Sequence, residues 1–431
     1  MEGGAVKPDF SDPDPAGRYR VLAAYVETHP RKVENGCINL HVHTNESFSF
    51  FSSPTEAVWY AYVEGLEYFG INDHYTIAGH EEFRAAAEIA SIKSVFSIEI
   101  IAMDEKSQRR GRRYNDPDNA GRCYLVGKGV TRDLLPGSRG FRLLAKIHRS
   151  IRDRNRRIVE ELNEYAGERG IHIGLDYGEV EGLTPRGNTT ERHVVQAFCQ
   201  KMARRYPEVD ERGARYAALL NEPIEEALLS NPAKLQQRVR AKLVKSGMPC
   251  FVEEEKSGFV SIEDLVDIYL EYGSIPIYPL MGIPITEEEE DLDALFSKMR
   301  RFRLNALEII DFRTRIERAA QIIDAASDQG YPVFIGSEHN TREELSLRGP
   351  VAEHPDFYSY FRRSANFVIG HQRLMGLCDF GYVLPDGKPR FEDRRSGFRF
   401  FEEIGEMDMP AHQLEEFGRM SLKERKKYFG I

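Results

Sequence analysis

Short apolar runs along this chain end in polar residues, and stretches with helix-like spacing separate them. The first run, residues 37–42, leads into His41-Val42-His43-Thr44, and the two-residue period of a strand puts both imidazoles on one side. Pro54 opens a helical pattern over 55–67, and the next run, 68–72, ends in Asp73-His74. A helix over 80–90 precedes a run at 94–98 that ends at Glu99, and a loop rich in Gly, Asp and Arg precedes the fourth run, 122–127. The alternation resumes with strands at 275–279, 306–310 and 332–336, separated by helices over 287–302 and 314–329. The last run closes on Ser337-Glu338-His339-Asn340. Residues 19–27 carry a helical pattern ahead of the first strand, and an amphipathic helix over 357–377 precedes a charged, aromatic tail.

Strands alternating with helices predict a parallel sheet with helical crossovers, and closing it gives an α/β fold of the (β/α) barrel kind. The rhythm breaks after residue 130, where a mainly helical stretch with one predicted strand, 171–175, reads as an insertion. The predicted organisation is a lead (1–34), a barrel (35–130 and 273–380), an insertion and possible lid (131–272) and a C-terminal extension (381–431). The first insertion helix, 142–169, carries Arg149, Arg152, Arg154, Arg156 and Arg157, a run that reads first as a solvated face. A polar turn then opens a helix at Glu191, close to Arg186, Arg192 and His193. It reads equally as an ordinary capped turn and as an anion site.

Composition narrows the function classes. No apolar run approaches the roughly 20 residues that span a bilayer, and residues 1–20 lack the pattern of a secretory signal, so a cytoplasmic location is expected. Five scattered cysteines without a CxxC pair predict reduced thiols. A formal charge of −10 argues against nucleic acid as the partner and leaves a small anionic substrate as the expectation.

In (β/α) barrels the active site lies at the carboxyl ends of the strands. His41, His43, Asp73, His74, Glu99, Glu338 and His339 all fall at such ends. Mixed nitrogen and oxygen donors suit Zn²⁺, Mn²⁺ or Fe²⁺ better than Ca²⁺ or Mg²⁺. Taken singly, Asp73 also reads as a partner that orients a histidine, and Glu99 as the partner of an arginine.

The ordered series His41-Val42-His43-Thr44, Asn72-Asp73-His74, Ile98-Glu99 and Gly336-Ser337-Glu338-His339-Asn340 resembles the motifs of the polymerase and histidinol phosphatase (PHP) family, over residues 35–130 and 273–380. The resemblance implies a distorted seven-stranded (β/α) barrel, a cluster of up to three divalent metals and, in many members, hydrolysis of phosphate esters. It matches His41, His43, His74, Glu99 and Glu338 to ligand positions and leaves His339 as a displaced candidate. The chain departs from the pattern at Ser47 or Ser49, Cys123, Tyr278 and Asn340, where further ligands are usual, so one or two metals are expected.

The leading expectation is therefore a metal-dependent phosphoesterase acting on a small phosphorylated metabolite or nucleotide. His41, His43 and Glu338 would hold one ion, Glu99 would bridge to a second involving His74, and Asp73 would orient or deprotonate the water. Arg186, Arg192 or His193 would clamp the anion from the insertion. Two alternatives stand beside it: metal-dependent hydrolysis, isomerisation or decarboxylation of a small carboxylate, and a decayed barrel acting as a binding protein, motivated by Cys123, Tyr278 and Asn340.

Overall fold

The computed structural model describes residues 7–31, 37–341, 343, 345–409 and 411–431. Seven strands, β1 (Cys37–Val42), β2 (Leu66–His74), β3 (Lys93–Met103), β4 (Arg122–Lys128), β5 (Ile275–Leu280), β6 (Leu307–Ile310) and β7 (Val333–Gly336), pair in that order. β7 returns to β1 through a bridge between Val42 and Glu338, which closes the sheet to a nearly complete barrel. His43 N donates to Glu338 O at 2.9 Å and Glu338 N to His41 O at 2.8 Å. Gly336 permits this approach, because a Cβ there would lie 2.1 Å from that of His41. Every residue of β1, β5, β6 and β7 is buried, as strands must be when helices cover one face and side chains fill the other.

The covering helices start where the sequence supplies caps. Ser53 accepts from Glu56 N and Pro54 takes the first helical position, where its missing N–H costs nothing. The predicted start at 287 is early by five residues: the helix is Leu292–Phe302, capped by Asp291, which accepts from Ala294 N. Glu288 and Glu289 turn inward instead, Glu288 to Arg112 at 2.6 Å and Glu289 to the Tyr278 hydroxyl at 3.0 Å. The tail does not stand apart. Helix Arg394–Glu406 packs on helix Pro355–Cys378 so closely that a Cβ on Gly370 would lie 1.9 Å from Phe401 O.

The sheet is mixed rather than all parallel. β4 runs antiparallel to both β3 and β5. A parallel return needs a crossover helix, whereas the segment between β3 and β4 holds only the short helix Glu105–Arg109, and Met103 pairs directly with Arg122. The chain turns back on itself, so β4 ends at the base of the barrel, where Lys128 pairs with Ile275.

That reversal sets the path of the insertion. Leaving from the base, helix Arg139–Gly167 has 29 residues, about 43 Å at 1.5 Å per residue, enough to climb the whole barrel. Helix Ile262–Glu271 descends beside it, with Gly140 N donating to Glu271 Oε1 at 2.9 Å and Arg139 paired to Asp267 at 3.0 Å. Leu144 and Ile147 of the long helix join the barrel core, while Ile158, Val159 and Leu162 join a second core with Val194, Phe198 and Tyr216. Four of its clustered arginines are exposed and Arg154 is buried.

Residues 171–175 form no strand. Ile171, Ile173 and Leu175 are buried in the second core, and Asn163 satisfies the backbone of Leu175 in both directions, at 2.8 and 2.9 Å. The alternation that predicted a strand comes from an extended segment packing on helices. Among the described residues no helix is long and apolar enough to cross a membrane.

Candidate metal centre

Register decides which side chains face inward. β2 pairs His74 with Glu99 of β3, and Glu99 pairs with Val126 of β4. β3 continues to Met103, so Glu99 sits within the strand rather than at its end. Asn72 and His74 share one face of β2 and Asp73 takes the other.

The inward side chains converge. Nε2 of His41 and Nε2 of His43 are 3.4 Å apart, and Glu99 Oε2 lies 3.8 Å from the first and 3.5 Å from the second. The three donor atoms all lie within 4.8 Å of one another and the residues are buried. His74 extends the group: its Nδ1 is 3.1 Å from the same Glu99 oxygen and its ring 4.2 Å from that of His43.

His41 is oriented from behind. Its Nδ1 stands 2.9 Å from Glu308 Oε2, and Lys128 Nζ donates to Glu308 Oε1 at 2.6 Å and to Leu40 O at 2.8 Å. A carboxylate on Nδ1 keeps the proton there and turns the Nε2 lone pair toward His43 and Glu99. Burial alone would raise the Glu308 carboxyl, yet Lys128 and His41 hold it below its ordinary value. Asn72 Nδ2 lies 2.6 Å from His41 Nε2, while its own Oδ1 is buried without a partner.

These residues fit a divalent cation. Burial, with neighbouring imidazoles and Arg192, pushes His43 well below its usual pKa and His74 down to about 3, so both rings keep free lone pairs. Burial, with Glu338 and Glu308, pushes Glu99 well above the carboxylate range. His74 Nδ1 is buried and, although 3.1 Å from Glu99 Oε2, lacks the alignment of a hydrogen bond to it or to any other described group. A cation among these atoms would supply the charge that they lack and displace the proton from Glu99.

Other predicted residues sit differently. Asp73 faces the loop after β1 rather than the cluster: Oδ1 accepts from Thr44 N at 2.7 Å and Ser47 Oγ at 2.6 Å, and Oδ2 from Thr44 Oγ1 at 2.7 Å. Burial raises it to about 6 against those three bonds. Since Ser47 Oγ is also 3.3 Å from His43 Nδ1, Asp73 positions a histidine and does not reach the cluster as a base. Both nitrogens of His339 are engaged, with Ser337 Oγ at 2.7 Å and Leu345 O at 3.0 Å, which turns it away from the other imidazoles. Glu338 lies outside the 4.8 Å group, paired to Arg313 at 3.0 Å. Glu338 and His339 have φ of +72° and +52°, successive left-handed residues of the costly kind that gathers at functional sites. Asn340 Nδ2 lies 3.4 Å from Glu338 Oε2.

Cys123 and Tyr278, read as lost ligands, lie on strand faces opposite the inward Tyr124 and Pro279. Tyr124 is the one whose ring stands 6.3 Å from His74.

From the insertion, Arg186 bonds Glu46 at 2.7 Å and Glu82 at 3.1 Å, joining the insertion to the barrel instead of facing a substrate. His193 caps its own helix, accepting from Thr190 N at 3.0 Å, and packs edge-on to Phe48. Arg192 makes no ion pair among the described residues, lies over the Phe48 ring, and is close enough to lower His43 and His74. Burial and the neighbouring Arg240 bring Arg192 down to about 10. Glu308 and Lys128 escaped the sequence reading, although a lone charge within an apolar run is a signal of a buried pair.

The fold is similar to that of a Bifidobacterium adolescentis protein classed provisionally as a metal-dependent phosphoesterase, with a TM-score of 0.50 and 16% identity over 74% of this chain and 95% of that one. An amidohydrolase of Chromobacterium violaceum, solved with sulfate and without metal, gives 0.47 and 15% over 77% and 97%. At such identity the first likeness establishes the fold. No family model and no curated sequence matches the chain.

Proposed function

We propose that the protein is a metal-dependent hydrolase of small phosphate esters. The observation that carries the reading is the convergence of His41, His43 and Glu99 within 4.8 Å of one another in a buried site, with His74 beside them. Buried donors with no cation of their own are costly to assemble, and a divalent ion makes the arrangement favourable. Zn²⁺, Mn²⁺ or Fe²⁺ would supply Lewis acidity there and make water nucleophilic near neutral pH.

The chain's own residues do the rest. Glu308 and Lys128 hold His41 in the tautomer that points its lone pair inward, and Asp73 holds His43 through Ser47. Arg192, which makes no ion pair among the described residues, brings positive charge near His43 and His74, where it favours an anionic ester over a neutral one and steadies charge building on the phosphoryl oxygens. That surplus is why phosphate is preferred to a neutral amide. The outward faces of Cys123 and Tyr278 remove part of the case for a decayed site.

Elemental analysis of purified protein should find stoichiometric transition metal, and a panel of phosphate monoesters should include a hydrolysed substrate. His41→Ala and Glu99→Ala should each lose bound metal and cut hydrolysis to below about one hundredth. Metal-free wild-type protein, or full activity in either variant, would overturn the proposal.

A further inference from the structure

Next to His74, between the barrel rim and the insertion, lies a recess of about 180 Å³. Its two walls differ in chemistry. The barrel wall is largely apolar, made by Tyr75, Ile101 and Tyr124, and Phe259 of the insertion continues it. The insertion wall is polar, made by Ser150, Asn188, Thr190, Arg154 and Arg240.

Charge on the insertion wall is out of balance. Three acids border the recess, but Glu254 is held by Arg122 at 2.5 Å and Glu255 by Arg157 at 3.0 Å. Glu191 faces both Arg154 and Arg240, at 2.8 Å each, and Arg154 also lies 3.9 Å from Glu254. Arg240 spends only its Nε on Glu191, and its two terminal nitrogens have no partner among the described residues. Arg192, which makes no ion pair among the described residues and feels Glu191 and Glu338 only at longer range, adds its charge beside Arg240. A separate sign of a missing ligand comes from Asn188, which is 7% exposed, borders the recess and has an Nδ2 donor without a partner. Buried donors are nearly always satisfied in native proteins, so an unpartnered amide in a residue that lines the recess is a donor that a ligand acceptor could satisfy.

We propose that this recess receives the leaving-group half of the substrate, and that this half is a ring-sized, flat body carrying its own anionic group, which Arg240 and Asn188 hold. The apolar wall takes the ring, the guanidinium takes the carboxylate or phosphate at its far end, and His74 joins the recess to the reacting end. The inference rests on the esterase reading for the cleaved bond, but the recess itself is tested by binding alone.

Calorimetric titration of the full-length protein, loaded with Mn²⁺, would use phosphonates, which are not hydrolysed. The probes are phenylphosphonate, 4-carboxyphenylphosphonate, 1,4-phenylenebisphosphonate and 4-(aminomethyl)phenylphosphonate. At least one doubly anionic probe should bind about tenfold tighter than phenylphosphonate, as a charge-assisted bond to Arg240 predicts, and the aminomethyl probe should bind more weakly. Whichever dianion wins identifies the second group. Arg240→Gln should bring the ratio to about one while phenylphosphonate affinity stays. Equal binding of all four probes to unmodified protein overturns the inference without any variant, as does an Arg240→Gln protein that keeps the ratio. Preference for a dianion in a protein that hydrolyses no phosphate ester would sink the esterase reading and leave the recess standing.

Discussion

Nδ1 of His41 stands 2.9 Å from Oε2 of Glu308 in the middle of the barrel, and both side chains are wholly buried. Lys128, equally buried, holds the other carboxylate oxygen. Breaking one partner of a buried ion pair leaves a charge that neither water nor protein compensates. Glu308→Leu should therefore cost about 3–5 kcal/mol in urea denaturation at neutral pH. Adding Lys128→Met should restore most of that loss, and a double variant as unstable as the single would show that charge pairing is not the cause. Glu308→Gln, which keeps an acceptor, should fold but bind Zn²⁺ or Mn²⁺ about 10–100-fold more weakly by calorimetry.

Asp73 accepts three hydrogen bonds from Thr44 and Ser47. An amide accepts at one end only, so Asp73→Asn leaves a buried donor unmet and should cost about 1–3 kcal/mol. At saturating metal its kcat should stay within about threefold of wild type, because no reacting atom is touched. A loss of several orders of magnitude at full metal occupancy would restore Asp73 as a catalytic group.

Glu289 gives stability a definite pH dependence. Burial lifts its carboxyl to about 7 against the hydrogen bond from Tyr278. Between an unfolded value near 4.5 and a folded value near 7 the native state binds more protons, so the Glu289 contribution falls as pH rises through that window. The full effect is on the order of 3 kcal/mol. Glu289→Gln should flatten the decline between pH 5 and about 7.5. An unchanged slope in the variant would rule Glu289 out as its source.

Arg186 ties the insertion to two buried carboxylates of the barrel, and Arg18 shares Glu82 from the N-terminal helix Pro15–Thr28. Arg186→Ala should leave Glu46 without its cation and loosen the turn at 184–190. Hydrogen exchange there should quicken about tenfold while strands of the barrel keep their protection. Equal protection throughout would mean that the two bonds contribute nothing.

Much of this protein is legible along the chain. Alternating runs predict the barrel strands, because a strand buried on both faces must be apolar throughout, and the two-residue period puts His41 and His43 together before any tertiary contact is known. The same period also says that Asp73 and His74 cannot both face inward, and β2 obeys it. Tertiary structure alone decided the rest. Nothing local reveals that β4 turns back, since its direction depends on the missing crossover helix, yet that reversal puts Lys128 at the depth of Glu308. His41 meets Glu308 across 267 positions only because the barrel closes. Arg186, His193 and His339 carry the right chemistry for a site but spend it on the fold, because each found a partner nearer than the cluster. Residue type and period determined which groups could bind a metal, and the closure of the sheet chose which of them share one point in space.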